Sequence, residues 1–329
     1  MLAVAVLFAF SPNSGVAHRS PLVPADPIAF GRHDLDQALS SVSLKASVSV
    51  SVTRKGAPES YVIRVRNGSV SIDAADSTGA MYGELQMAER VRLMGSPALG
   101  GSRSQPLTIS GAPYLKDRGW NLFLTLPWDY AGNKPDYDPA SLTDPKRWYF
   151  QDDDYWQTLF DEMAHARLNW LDIHGTYDLG TTLFPNLWAY FIQSAKYPLI
   201  GVAPEIKAKN LRQLNHIVDM AHTRGVRVSL MCYEARAYIP HNPNPPYAKD
   251  EATMYDYTRE VVETAIRQIP KLDAIGFRIG ESGHGEAFFN CYVEAVKRSG
   301  RNIPLISRSW LTQKPQVVAL ARQCPDFTL

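Results

Sequence analysis

Residues 278–285 read Arg-Ile-Gly-Glu-Ser-Gly-His-Gly, directly after the apolar run Leu272 to Phe277 and directly before the helix-like segment Glu286 to Lys297. A strand that ends in a carboxylate and a glycine-rich turn, followed by a helix, is how a (β/α) barrel presents an acid at its catalytic face. The same rhythm extends outward from this point. From Pro113 onward, apolar strands alternate with amphipathic helices, which predicts parallel β/α units. Five strands are expected: Trp120 to Leu126, Leu168 to His174, Val226 to Tyr233, Ala274 to Glu281, and Pro304 to Trp310. Trp156, Leu159, Phe160, Met163 and Ala164 recur at helical spacing between the first two strands. Leu211, Leu214, Ile217, Val218 and Ala221 do so before the third. A last helix is expected over Lys314 to Arg322.

A closed barrel of this type has eight units and typically ~250 residues. Residues 113–329 are therefore expected to form a TIM-type (β/α)8 barrel truncated after about five βα units. An open, doubly wound sheet is the alternative, but Pro127-Trp128-Asp129 follows the first strand where a glycine-rich dinucleotide turn would stand. Upstream the pattern is shorter and mixed. A helix-like Asp34 to Val42 precedes the alternating Tyr61 to Val65 and then Val70 to Ala74. Asp76-Ser77-Thr78-Gly79 turns into a helix carrying Met81, Leu85, Met87, Val91 and Leu93. Residues 18–112 read as an α+β N-terminal domain.

The 34 basic and 33 acidic side chains leave a formal charge of +1, so no whole-protein field gathers nucleic acid or an anionic membrane. Leu2 to Phe10 is a short apolar run, and Gly15-Val16-Ala17 puts small residues before His18, the pattern of a signal peptide over residues 1–17. Export to a secreted or periplasmic location is the expectation, and the run is too short to span a bilayer. Cys232, Cys291 and Cys324 are an odd count without CxxC spacing, which disfavours a disulfide framework or structural zinc and reads as small buried hydrophobes. Oligomeric state has no signature in the sequence.

Ser69-Val70-Ser71-Ile72-Asp73-Ala74, followed by Gly79-Ala80-Met81-Tyr82-Gly83 and an amphipathic helix, resembles the small N-terminal domain of family 20 and family 67 glycoside hydrolases. Pro113-Tyr114 and then Arg118-Gly119 entering a strand is similar to the point where those enzymes begin their catalytic barrel. The resemblance implies a β-N-acetylhexosaminidase or α-glucuronidase type of activity and assigns Arg118 to gripping the sugar. Family 20 enzymes end the fourth strand with an adjacent Asp-Glu pair. Arg278 to Ser282 carries one carboxylate, Glu281, which brings the chain nearer to the family 67 pattern.

Glycoside cleavage needs a protonated carboxyl group at the leaving oxygen and a second carboxylate across the ring. Glu281 suits the first role, since partial burial at a barrel mouth raises a carboxyl pKa. For the second, Asp172 lies in a strand, Glu286 reads as a helix-start residue, and Glu234 is assigned to substrate binding. Arg118, Arg236, Arg278 and Arg308 recur near strand ends, and guanidinium forks suit an acidic sugar. Strict alternation points Arg278 away from Glu281 unless a bulge or the turn intervenes. His174, Tyr177 and Tyr233 stand where sugar hydroxyls would be met, and Trp310 is a candidate platform for a pyranose face. The insertion Pro127 to Asp153 adds Trp128, Tyr130, Tyr137, Trp148 and Tyr149. No His-x-His follows the first strand, and Asp152 to Asp154 read as helix N-terminal charge, so neither a metal nor another cofactor is expected.

The reading that results is a glycoside hydrolase acting on an oligo- or polysaccharide containing a uronic acid or N-acetylhexosamine residue. A non-catalytic carbohydrate-binding protein and a sugar-acid isomerase or lyase on the same barrel are the competing classes.

Overall fold

The computed structural model describes residues 25–102, 104–235, 239, 244–279, 285–324 and 326–328. Asp26 accepts a hydrogen bond from the Ala29 amide at 2.8 Å and Pro27 presets the first helical φ, so α1 (Pro27–Ser41) begins well before the Asp34 expected from periodicity. The Ser/Val alternation over β1 (Ser47–Val52), which the sequence reading passed over, pairs parallel with β3 (Ser69–Ala74). β2 (Tyr61–Arg66) lies antiparallel to β3 and to β4 (Leu107–Gly111), giving the order β1-β3-β2-β4. α2 (Ser77–Met94) starts at the Asp76 cap, where the carboxylate accepts from the Gly79 amide at 2.7 Å. Its Met87 and Val91 pack with Leu35 of α1 on Ile63, Val65 and Ile72, all without solvent exposure.

Between the two helices Glu84 is fully buried, with Oε1 accepting from Arg32 Nε at 2.8 Å and Oε2 without a hydrogen-bond partner. Burial pushes this carboxyl up to about 7, against which the Arg32 hydrogen bond and charge pull only partly. The folded pKa therefore exceeds the unfolded one. The stabilisation that the protonated form brings is complete below about pH 4 and is lost as pH rises through 7. A displacement of that size corresponds to on the order of 3 kcal/mol. Urea midpoints should fall between pH 5 and pH 8 in the parent protein and fall much less in Glu84→Gln. Equal slopes in the two proteins would refute the assignment.

The second sheet is entirely parallel and is built by βα units in sequence. β5 (Gly119–Thr125) is followed by the small hairpin β6 (Trp128–Asp129) and β7 (Lys134–Pro135), and then by α3 (Asp153–His165). β8 (Trp170–Tyr177) leads to α4 (Pro204–His222) and β9 (Arg227–Cys232) to α5 (Glu251–Gln268). β10 (Ala274–Phe277) leads to α6 (Glu286–Ser299) and β11 (Leu305–Ser307) to α7 (Lys314–Gln323). The order is β11-β10-β9-β8-β5, each unit adding its strand beside the last. A doubly wound sheet would reverse direction once, and these five strands do not.

Three of the five expected strands lie within a few residues of their predicted ends, and the last two are shorter, β10 ending at Phe277 where the expectation ran to Glu281. Ser307 ends β11, and Trp310 falls in the turn beyond. Asp152 caps α3 through the Asp154 and Tyr155 amides, as its position suggested. The sequence reading omitted α5, although Asp250 caps it and Met254, Tyr257, Val261 and Ala265 mark one buried face.

Alternation along the strands divides the sheet into two faces. Leu171, Ile173, Val228, Leu230, Ile275 and Phe277 are buried beneath the helices, with Trp156 and Trp188 filling the layer between. Such side chains contribute roughly 1.5–3 kcal/mol each. Trp188 Nε1 donates to Tyr292 Oη at 3.0 Å, so its one polar group is satisfied inside that core. Cys232 and Cys291 are buried thiols, as expected, whereas Cys324 is only half-buried. Among the described residues no helix is long and apolar enough to cross a membrane.

Candidate active site

Asn121, Asp172, His174, Ser229 and Arg278 occupy the other face of the parallel sheet. At the carboxyl ends of its strands this face becomes aromatic and cationic. Tyr233 directly follows β9, Arg278 directly follows β10 and Arg308 directly follows β11. The Phe184 ring stacks on Tyr233 with centroids 4.2 Å apart and planes 16° apart. The Arg278 guanidinium lies 3.6 Å from the same centroid and so must cover the opposite face of the ring. Arg308 Nη1 donates to Tyr233 Oη at 3.1 Å. Arg278 is 1% exposed; burial first and the Arg308 charge second pull its pKa down to about 9. Two like charges are thus held beside one tyrosine at the rim of the sheet, an arrangement complementary to an anionic group.

His174 forms the next side of this cluster. Its ring meets Tyr233 edge-on at 5.0 Å and Phe123 at 5.3 Å. A β-bulge places it there. Leu122 pairs with Ile173 and Leu124 with Thr176, so His174 and Gly175 together oppose the single residue Phe123. Gly175 takes φ +91°, and a Cβ there would lie 3.3 Å from the Met231 carbonyl oxygen. Gly175→Ala should lower stability by about 1–3 kcal/mol, read from the urea midpoint; an unchanged midpoint would show that the bulge is not under this constraint.

Below His174 a chain of polar contacts runs along the sheet. Nδ1 lies 2.6 Å from Asp172 Oδ2. The same oxygen accepts from Asn121 Nδ2 at 3.0 Å, and Oδ1 accepts from the Ser229 hydroxyl at 2.7 Å. The Ser229 oxygen in turn accepts from Trp170 Nε1 at 2.8 Å. A carboxylate only accepts, so Nδ1 carries a proton, and in the neutral imidazole Nε2 then presents a lone pair. Nε2 is buried and has no hydrogen-bond partner among the described residues, which costs roughly 1–3 kcal/mol.

The structure therefore brings His174, Tyr233, Arg278 and Arg308 together. Arg118 lies apart from these residues. It precedes β5 at the amino end of the sheet, where Nη2 bonds Glu59 Oε2 at 2.5 Å, Nε bonds the Arg167 carbonyl at 2.7 Å and Tyr82 lies at 3.3 Å. Asn169 Nδ2 also donates to Glu59 Oε1, at 2.6 Å. Arg118 thus ties the first sheet unit to the second and stands away from the strand ends where a sugar would be gripped. Glu234, the residue after Tyr233, is half-buried beyond the end of β9. Trp310 lies on the rim past β11 and is 57% exposed. Glu286 is the exposed first residue of α6, as its helix-start reading requires. Glu281 and Arg236 lie outside the described residues.

The aromatic insertion also divides. Trp148 Nε1 donates to the Thr125 carbonyl at 2.8 Å, and Tyr149 Oη donates to the Phe123 carbonyl at 2.8 Å, so both pack onto β5. Tyr130 is 85% exposed. Tyr137 donates to Asp178, a buried carboxylate just past β8 that also accepts from the Gly180 amide and the Thr181 hydroxyl. Burial and Asp178 push the Tyr137 hydroxyl up to about 12. A cavity of about 160 Å³ separates this loop from Tyr190, Val202 and Ile206. Among the described residues no group of three or more His, Cys, Asp or Glu could hold a metal ion.

Sequence reasoning missed Phe123, Phe184 and the orienting role of Asp172. The spacing Asp172-Ile173-His174 could have shown the last, because period two puts both side chains on one face of a strand. Phe184 had no such signal.

The sheet that carries this cluster is all-parallel and built by successive βα units, a mixed α/β fold with the strand order found in (β/α) barrels. Solved structures agree at the level of fold. The GH138 enzyme targeting pectin rhamnogalacturonan II superposes with TM-score 0.67 at 20% identity, over 92% of this chain and 36% of its own. Two complexes of the Streptomyces plicatus β-hexosaminidase are also similar, both at 13% identity. One, a mutant with the product GlcNAc, has TM-score 0.51 over 90% of this chain and 66% of its own. The other, with Thio-NAglucal, has TM-score 0.52 over 91% and 67%. The chain spans about a third of the length of the first and about two thirds of the second. No protein-family model and no curated protein matches the chain.

Proposed function

We propose that this chain carries the catalytic sheet of a glycoside hydrolase that cleaves a bond next to an acidic sugar, with Glu281 as general acid. The observation that carries the reading is the convergence of Arg278, Arg308, Tyr233 and His174 at the carboxyl ends of neighbouring parallel strands. Glu281 follows Arg278 by three residues in sequence. The guanidinium pair favours a uronic acid over an N-acetylhexosamine, since only the former offers a carboxylate to two fixed cations. Trp310 supplies an exposed indole for a sugar face. Asp172 already takes three donors and orients His174, so the second carboxylate comes from elsewhere.

In this reading residues 18–112 form an accessory α+β domain and residues 113–329 the catalytic barrel portion. The leader-like residues 1–17 direct export to a secreted or periplasmic location. No cofactor takes part. The test is release of the aglycone from aryl glucuronides and aryl N-acetylhexosaminides. The glucuronide is expected to be the better substrate, and hydrolysis of neither would remove the proposal.

A further inference from the structure

We infer that His174 is a positioning residue of this site, whose Nε2 accepts the hydrogen of one saccharide hydroxyl while Asp172 holds the ring in the tautomer able to do so. The inference rests on the glycosidase reading and adds the residue that would register the ring against the arginine pair.

Three observations support it. The β-bulge at His174 and Gly175 turns this side chain into the aromatic cluster, and the φ of +91° at Gly175 maintains the turn. Bulges beside functional sites serve to re-aim one side chain. Asp172 is itself oriented by Asn121 and Ser229, more support than a histidine present only to fill space would need. Finally, His174 is 1% exposed, yet its Nε2 meets no donor among the described residues. A purely structural imbedded imidazole has both nitrogens satisfied, and a purely packing position favours an apolar ring. An acceptor held ready in a fixed direction is what a ligand hydroxyl requires. Nε2 is covered as the chain stands, so its contact with a hydroxyl requires that a neighbouring ring, Tyr233 or Phe123, moves aside when a saccharide binds. Tyr233 contacts both arginines, and anion capture and hydroxyl registration are thereby coupled.

The experiment is nitrogen NMR of the full chain with ¹⁵N-labelled histidine, titrated with methyl glucuronide and with methyl N-acetylglucosaminide, and calorimetry in parallel. Before addition, His174 should show a protonated Nδ1 and a bare Nε2. At saturation with the glucuronide, the Nε2 resonance should move towards that of a hydrogen-bonded acceptor while Nδ1 stays in place. His174→Leu should weaken affinity about tenfold, whereas His174→Gln, whose amide oxygen reaches the Nε2 position, should hold it within about threefold. A resident Nε2–H tautomer, or an Nε2 signal unmoved at calorimetric saturation, would overturn this inference and leave the glycosidase reading intact. Failure to bind or hydrolyse any saccharide would overturn both. The wild-type titration decides the matter even if the variants fold poorly.

Discussion

Glu281→Gln should reduce kcat for aryl glucuronide hydrolysis by about 10²–10⁴-fold while leaving KM within about threefold. The amide is nearly isosteric with the acid, so contacts made in both ground state and transition state survive, but it cannot donate a proton to the leaving oxygen. In sequence the residue follows β10, where Phe277 and the adjoining Arg278 are fully buried at the carboxyl edge of a parallel sheet, the edge that bears chemistry in barrel enzymes. A second readout separates acid catalysis from incidental damage. Glycosides with good leaving groups need little protonation, so the loss should shrink as the aglycone becomes more acidic. A uniform loss across leaving groups, or unaltered turnover, would take Glu281 out of this role.

Arg308→Met should raise KM for the glucuronide by about tenfold or more and change KM for a neutral glycoside by less than twofold. Arg308 is exposed at the rim and donates to the Tyr233 hydroxyl, so its removal leaves the buried Phe184–Tyr233–Arg278 stack largely in place. A charge-assisted contact to a carboxylate is worth about 1.5–3 kcal/mol when made, and methionine retains the length of the stem without the charge. The effect should also weaken with added salt, because an exposed ion pair is screened. Equal losses on charged and neutral substrates would mean that Arg308 only supports Tyr233.

The elements that local pattern could reveal are those whose residues lie close together in sequence. The apolar run into residues 278–285 announced β10, and Asp76 and Asp152 announced the starts of α2 and α3. Where the reading failed, a non-local partner decided the outcome. Arg118 looked like a strand-end ligand because it stands beside a glycine at a strand, yet Glu59 holds its guanidinium and Asn169 its backbone amide at the amino edge. Trp148 and Tyr149 looked like sugar platforms, and the backbone of β5 takes both.

The sequence by itself determined the alternation of strands and helices, the direction of the parallel sheet, and the arrival of Tyr233, Arg278 and Arg308 at successive strand ends. Periodicity and capping are local, and consecutive βα units leave few ways to be laid side by side. Only the tertiary structure decided that these side chains meet around one ring, that Phe184 returns from a loop to cover its other face, and that a bulge turns His174 towards it. Those facts depend on register between distant segments, where a shift of one residue exchanges the two faces of a strand.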